Sequence, residues 1–283
     1  MLDYFRRFAS KLTQKAKHPQ AFRHISYAAI IGYTAGQAWA ELTRTSPTRL
    51  LASRHAVADG LTVLDTPYGP LYAPPDLSDD ELGYILRESF DDRHWHHYCA
   101  HGTVIAPGDV VVDCGASMGC WLLPFRNAIG AVHFFEPQQA FCLCLEKTYR
   151  TELDSGKAVI HNHATGDVNA VGKFVFAKEG DICGKIDFSE PGDVSVRTID
   201  AVLDGQRVDY IKADIEGAEA NMLHGAAETI RRWHPKIAIT VYHDENDWEA
   251  LLGFVKSLVP AYRHKLVGIA AWGKPIMLHL WCD

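Results

Sequence analysis

Asp109-Val110-Val111-Val112-Asp113-Cys114-Gly115-Ala116-Ser117-Met118-Gly119 is the stretch from which the rest of the chain can be read. Val110, Val111 and Val112 are β-branched and apolar and follow the turn pair Pro107-Gly108, the pattern of a strand buried in a parallel sheet. Asp113 closes that strand. Gly115 and Gly119 come where the chain turns, and the missing Cβ lets backbone approach a small molecule; the apolar run after Gly119 predicts a helix. The expectation is a ligand at the carboxyl end of this strand.

Spacing narrows the ligand. A nicotinamide-binding turn reads Gly-x-Gly-x-x-Gly and a P-loop ends in Gly-Lys-Ser/Thr; this turn has neither. Asp-x-Gly-x-x-x-Gly suits S-adenosylmethionine, with the acid toward the methionine part, directly or through water, and the glycine turn beside the ribose. Ala131 to Phe135 predicts the neighbouring strand, ending in Glu136-Pro137. An acid about 20 residues past the glycine turn is placed to accept hydrogen bonds from both ribose hydroxyls. A third strand, Ala158 to Ala164, carries His163 and Ala164 to a position bordering the adenine.

With 283 residues, 28 basic and 35 acidic side chains and a net charge of −7, the chain lacks the cationic excess of a dedicated nucleic-acid binder. Its seven cysteines form no Cys-x-x-Cys and read as reduced thiols of a cytoplasmic protein. No apolar run reaches the roughly 18 residues of a membrane span. Ile25 to Ala40 comes nearest but is interrupted by Tyr27, Thr34 and Gln37. Its basic lead is long and the run weakly apolar, which disfavours a secretory leader ending at Ala38-Trp39-Ala40.

Residues 1–75 read as an arm and 76–283 as the main domain. In the arm, Arg6, Arg7, Lys11, Lys15, Lys17 and Arg23 accompany Leu2, Phe5, Phe8 and Leu12 at helical spacing, a basic amphipathic helix suited to an anionic membrane surface or a partner subunit. Gly32, Gly36 and Ala40 recur every four residues, a spacing for close helix contact, including contact between copies in a homo-oligomer. Leu61 to Tyr72 predicts a hairpin turning at Pro67-Tyr68-Gly69-Pro70.

In the main domain the pattern predicts helices over 79–89, 138–153, 218–233 and 245–258, alternating with strands as in a doubly wound, mostly parallel sheet. Lys173 to Ala177 and Val194 to Arg197 read as additional strands joined by a loop over 181–192, and Tyr262 to Gly268 with Pro275 to Cys282 as a closing antiparallel hairpin. The strand over 208–213 delivers Asp214 to the sheet edge where α/β proteins bind ligands. Glu216 and Glu219 follow; acids at a helix start also gain about 0.3–1 kcal/mol from exposed amides. The strand over 236–242 delivers His243, which at an ordinary pKa of about 6.5 would be a neutral proton acceptor. His97 and His101 are four apart but lack a third ligand, and Asp214 with Glu216 gives two carboxylates only, so a divalent ion lacks support and no metal site is assigned.

With these residues in place, the chain resembles the FkbM family of S-adenosylmethionine-dependent methyltransferases from about Gly108 onward. The likeness is carried by Val111 to Gly119, by Phe135-Glu136-Pro137, by Ser195-Val196-Arg197-Thr198-Ile199-Asp200 and by Ile211-Lys212-Ala213-Asp214-Ile215-Glu216-Gly217-Ala218-Glu219. Val241-Tyr242-His243-Asp244-Glu245-Asn246-Asp247 looks like the carbohydrate-associated branch. The resemblance implies a class I, Rossmann-like methyltransferase fold, a seven-stranded sheet with one reversed strand. It also implies O-methylation of a sugar, cell-envelope glycan or related natural product. It carries Asp113, Gly115, Ala116, Gly119 and Glu136 over as cofactor contacts, and Asp214, Glu216 and His243 as acceptor-pocket and catalytic candidates, with Asp214 also near the cofactor. A nicotinamide-dependent oxidoreductase and a noncatalytic binding protein are the competing readings. Pro124 should make the helix after the glycine turn irregular.

Overall fold

The computed structural model describes the chain except residues 1, 44, 58, 177–183, 190, 244 and 271–272. The arm consists of α1 (Leu2–Lys17) and α2 (Tyr27–Leu42), the latter capped by the Ser26 hydroxyl, which accepts the Ala29 N–H at 3.0 Å. Two of its cations fold inward. Lys15 donates to the Phe22 carbonyl at 2.8 Å, and Lys11 lies over the stacked pair Tyr33 and Trp95, whose centroids are 3.9 Å apart. Phe22, Ile25, Ile30, Trp95 and Ile269 form a small core that seats the arm on the C-terminal part of the chain. Ile31, Trp39 and Leu42 of α2 stay exposed, and no described helix is long and apolar enough to cross a membrane.

β1 (His55–Ala56), β2 (Thr62–Thr66) and β3 (Gly69–Ala73) make an antiparallel ribbon, so the predicted hairpin gains a third, two-residue strand. Leu64, Leu71 and Ala73 share one core with Val111, Leu122 and Phe134. α3 (Asp79–Phe90) begins with a capping box in which Ser78 and Glu81 satisfy each other's backbone amides.

The main sheet is built from β4 (Val110–Cys114), β5 (Ala131–Phe135), β6 (Ala158–His161), β11 (Tyr210–Ala213), β12 (Lys236–Thr240), β13 (Arg263–Val267) and β14 (Met277–Trp281) in the order β13-β14-β12-β11-β4-β5-β6. All neighbours from β12 to β6 are parallel, and β14 alone runs against both of its neighbours. α4 (Gln139–Thr148), α5 (Arg150–Asp154), α6 (Ile199–Leu203), α7 (Glu219–His224), α8 (Ala227–Trp233) and α9 (Trp248–Leu258) connect the strands. From β4 the chain winds outward to β5 and β6, then returns to add β11 and β12 on the other side. The carboxyl ends of β4 and β11 therefore flank the point where winding reverses, where such sheets open a crevice.

Several expectations are corrected. The chain after Gly119 forms a six-residue 3-10 helix, Cys120–Phe125, in which the Pro124 ring is spared the clash with the carbonyl four residues back that an α-helical turn would impose. The third strand stops at His161. Ala164 instead starts β7 (Ala164–Thr165) of a second sheet, ordered β7-β10-β8-β9, with β8 (Ala170–Phe176), β9 (Gly184–Asp187) and β10 (Val194–Arg197). The loop expected over 181–192 thus contains a strand, while its residues 181–183 and 190 lie outside the described residues. The helix over 138–153 breaks at Tyr149. That over 218–233 breaks at Gly225, where a Cβ would stand 1.9 Å from the Gly166 carbonyl oxygen. Residues 93–101 are turns, so His97 and His101 do not share a helix face; His97 is buried and His101 exposed.

Candidate active site

The glycine turn is shaped by its neighbours within the chain. Gly115 and Gly119 have φ of 70° and 73°, and Ser117 between them 50°, so three residues of this turn are left-handed. A Cβ on Gly115 would lie 2.2 Å from the Asp214 carbonyl oxygen, and one on Gly119 2.5 Å from the Tyr149 ring. Gly115→Ala is therefore expected to cost more than the roughly 1–2 kcal/mol of left-handed strain alone, since the obstructing atom is backbone. Thermal denaturation beside the wild type checks this.

Asp113 is fully buried beneath the turn. Its Oδ2 accepts the Trp121 indole N–H at 2.7 Å, and its Oδ1 lies 3.1 Å from Nζ of Lys212, itself 4% exposed. Lys212 also donates to the Gly115 carbonyl at 2.7 Å, so one buried cation ties the acid of β4 to the turn that follows it. Burial opposes the Lys212 charge, but Asp113 and Asp214 raise its pKa above the ordinary lysine value.

Glu136 leaves β5 facing the same turn. Its carboxylate accepts the Ser117 N–H at 2.8 Å and the Gln138 N–H at 2.9 Å, while the Gly115 and Ala116 N–H groups reach the Phe135 carbonyl at 2.9 and 3.2 Å. Burial raises the Glu136 pKa to about 7 even though both amide bonds pull it down. Asn162 donates its side-chain amide to the Glu136 carbonyl at 2.9 Å, which brings the 162–164 turn, with His163 and Ala164, to the same edge.

On the other side of the reversal point, Asp214 follows β11 and donates its N–H to the Cys114 carbonyl at 3.2 Å. Its Oδ2 accepts the Tyr98 hydroxyl at 2.8 Å and its Oδ1 the Thr240 hydroxyl at 3.1 Å. Nε2 of His96 and of His243 stand 3.7 and 3.9 Å from this carboxylate. Burial pushes the Asp214 pKa up, but His96, Lys212, His243 and the Tyr98 hydrogen bond together bring it below the ordinary aspartate value. It is an anion at neutral pH.

His243 differs from its expected state. Nδ1 lies 3.3 Å from Glu219 Oε1 and Nε2 3.3 Å from Glu216 Oε2. Burial would lower its pKa, yet Glu216, Glu219 and Asp214 raise it to about 10. Standing alone among these acids, the ring is an imidazolium at neutral pH and not the neutral base that its ordinary pKa suggested. His96, 2% exposed, is the neutral one, its pKa lowered to about 4 chiefly by burial. Glu216, with φ of 57°, projects from a left-handed turn between β11 and α7.

The structure thus gathers Asp214, Glu216 and His243 on one side of the reversal point, and Glu136 with the glycine turn on the other. Sequence reasoning did not single out Lys212 or Thr240 as parts of the site and read Glu219 only as an acid at a helix start. His96 and Tyr98 fall in the histidine- and aromatic-rich stretch 93–101, whose place just before the glycine turn suits a cover for the cofactor or part of the substrate entrance.

The family model described as methyltransferase FkbM domain matches residues 113–265, more than half of the chain. No curated protein matches the chain significantly. The crystal structure of methyltransferase FkbM from Methylobacillus flagellatus KT aligns with a TM-score of 0.50 and 22% identity, covering 73% of this chain and 56% of that one. This chain therefore spans little more than half the length of that relative, and the likeness is one of fold. An rRNA methylase from Streptococcus thermophilus aligns at TM-score 0.39 and 15% identity, over 64% of this chain and 90% of that one. A precorrin-6y C5,15-methyltransferase from Geobacter metallireducens GS-15 aligns at 0.37 and 12%, over 73% and 89%. With the glycine turn, Glu136 and Asp214 all lying inside the matched segment, the chain belongs to the FkbM methyltransferase family.

Proposed function

We propose that this protein transfers the methyl group of S-adenosylmethionine to a hydroxyl of a sugar or glycan. The observation that carries this reading is Asp214 at the reversal point of the sheet, with its backbone against Gly115 and its ionised carboxylate held by Tyr98 and Thr240 as the candidate proton acceptor. The sulfonium is already activated, so the protein's task is alignment and exclusion of water. The acceptor oxygen attacks the methyl carbon, the C–S bond breaks to leave S-adenosylhomocysteine, and the hydroxyl proton passes to the Asp214 carboxylate. Tyr98 and Thr240 hold that carboxylate in place, and the His243 imidazolium balances its charge. Glu136 takes the ribose hydroxyls, while Asp113 and Lys212 keep the turn in shape from below. The carboxylates of Asp214 and Glu216 match the O–H donors of a polyhydroxylated acceptor, which is what supports a sugar or glycan as the substrate class.

Calorimetry with S-adenosylhomocysteine, followed by transfer of labelled methyl from S-adenosylmethionine to a glycan panel, tests the proposal. Binding of the nucleoside with methyl ether formation supports it. Binding of a reduced nicotinamide nucleotide in its place would return the oxidoreductase reading.

The raised pKa of Glu136 gives this reading a pH signature. The carboxylate accepts two ribose hydroxyls, whereas its protonated form turns one oxygen into a donor. S-adenosylhomocysteine affinity is therefore expected to rise between pH 6 and pH 8 as Glu136 ionises through about 7, and to lose that rise in Glu136→Gln. Calorimetric titrations at fixed ionic strength read it out.

A further inference from the structure

Tertiary structure supplies a third donor to the two carboxylates of the 214–216 motif. The His243 side chain is 9% exposed, and among the described residues neither ring nitrogen meets hydrogen-bond geometry; each instead faces a carboxylate at 3.3 Å. Nδ1 lies 3.3 Å from Oε1 of the fully buried Glu219. That carboxylate is itself fixed, accepting the Ile215 N–H at 3.1 Å, the Thr240 hydroxyl at 2.9 Å and the Asn246 amide at 2.8 Å. A carboxylate at one imidazole nitrogen keeps a proton there and leaves the other nitrogen as the one that can coordinate a metal ion, with release of its proton. Here that other nitrogen is Nε2, which faces Glu216 and Asp214. One donor atom from each of Asp214, Glu216 and His243 lies within 4.8 Å of the other two. Ligands on an octahedral ion with bonds of about 2.1 Å stand roughly 3 Å apart when adjacent and about 4.2 Å when opposite, so the three side chains need only small rotations to share one ion. The Glu216 side chain is 30% exposed, which leaves this corner open toward solvent.

We infer that Asp214, Glu216 and His243 bind one divalent cation of the Mg2+ or Mn2+ class, with Glu219 as the residue that orients His243. Two carboxylate oxygens and one imidazole with no sulfur donor suit these ions. The carboxylates of Asp214, Glu216 and Glu219, 3.9, 3.3 and 3.3 Å from the His243 ring nitrogens, supply the negative field that a dication needs. The cation's role rests on the function proposed above: it would receive the acceptor hydroxyl, lower its pKa and hold it beside the methyl donor. The binding site itself stands on geometry and not on that role.

Titrating the protein with Mn2+, and reading free Mn2+ by electron paramagnetic resonance, tests the inference. The wild type is expected to bind one equivalent. Glu216→Gln and His243→Ala should weaken binding at least tenfold, and Glu219→Gln by about 10–100-fold as a loss of ligand orientation. Circular dichroism verifies that each variant is folded; Glu216→Gln, at a part-exposed position, decides the matter if the buried variants are not. No stoichiometric binding by the wild type, or equal binding by folded Glu216→Gln, overturns the site. Calorimetry with S-adenosylhomocysteine on metal-free samples separates the two proposals. Nucleoside binding without Mn2+ binding rejects the cation site and leaves methyl transfer standing, while Mn2+ binding without nucleoside binding does the reverse.

Discussion

Lys212→Met is expected to destabilise the protein by about 3–5 kcal/mol, the cost of removing one partner from a buried ion pair and leaving the other uncompensated. The stranded group is Asp113, with a side chain fully buried on β4 and, after the substitution, the Trp121 indole as its one remaining side-chain partner among the described residues. The Gly115 carbonyl loses its 2.7 Å bond from Nζ at the same time, so the glycine turn loosens together with the strand end. At about 2–4 °C per kcal/mol for a chain near this size, the melting temperature should fall by roughly 6–20 °C. Lys212→Met with Asp113→Asn removes both charges and should recover a large part of that loss. Equal melting temperatures for the single and double variants would show that the pair does not carry the stability assigned to it. The native lysine pKa is raised, so its favourable contribution is full below the unfolded value and fades only as pH rises through the folded one. The wild type should hold this contribution throughout the neutral range.

Asp214→Asn carries the second large effect. The substitution keeps the shape and leaves one oxygen to accept from one of the Tyr98 and Thr240 hydroxyls, the other hydroxyl turning to accept from the amide NH2, but removes the anion that takes the acceptor's proton. Turnover is expected to fall by about 10²–10⁴-fold, the usual contribution of a positioned acid or base. S-adenosylhomocysteine affinity should stay within a few-fold of wild type, because Glu136 and the glycine turn are untouched. Steady-state kinetics paired with calorimetry separate the two quantities. A variant that loses nucleoside binding and turnover in parallel would place Asp214 in the cofactor pocket and not at the acceptor. Unchanged turnover would remove it from the chemistry.

The parallel core of this protein was legible because each of its signals is local. Val110–Cys114 and Ala131–Phe135 are apolar runs bounded by turn residues, and both appear as strands over the expected residues. Asp113, Glu136 and Asp214 fall at carboxyl ends of neighbouring strands because that placement depends only on where each strand stops. The same locality explains the failures. Nothing in 218–233 announces that Gly225 must pass under the Gly166 carbonyl, and nothing around Asn162 announces that Ala164 will pair with Val196 of a second sheet.

The sequence by itself determined the α/β order, the strand ends that carry the acids, and the turn chemistry at Gly115 and Gly119. These follow from side-chain periodicity and backbone sterics, which act over a few residues. Tertiary structure alone decided which groups face one another: Tyr98 against Asp214, Lys212 against Asp113, and Glu219 behind His243. It also decided the charge His243 carries, since an imidazole takes its pKa from the carboxylates packed around it and not from its neighbours in the chain.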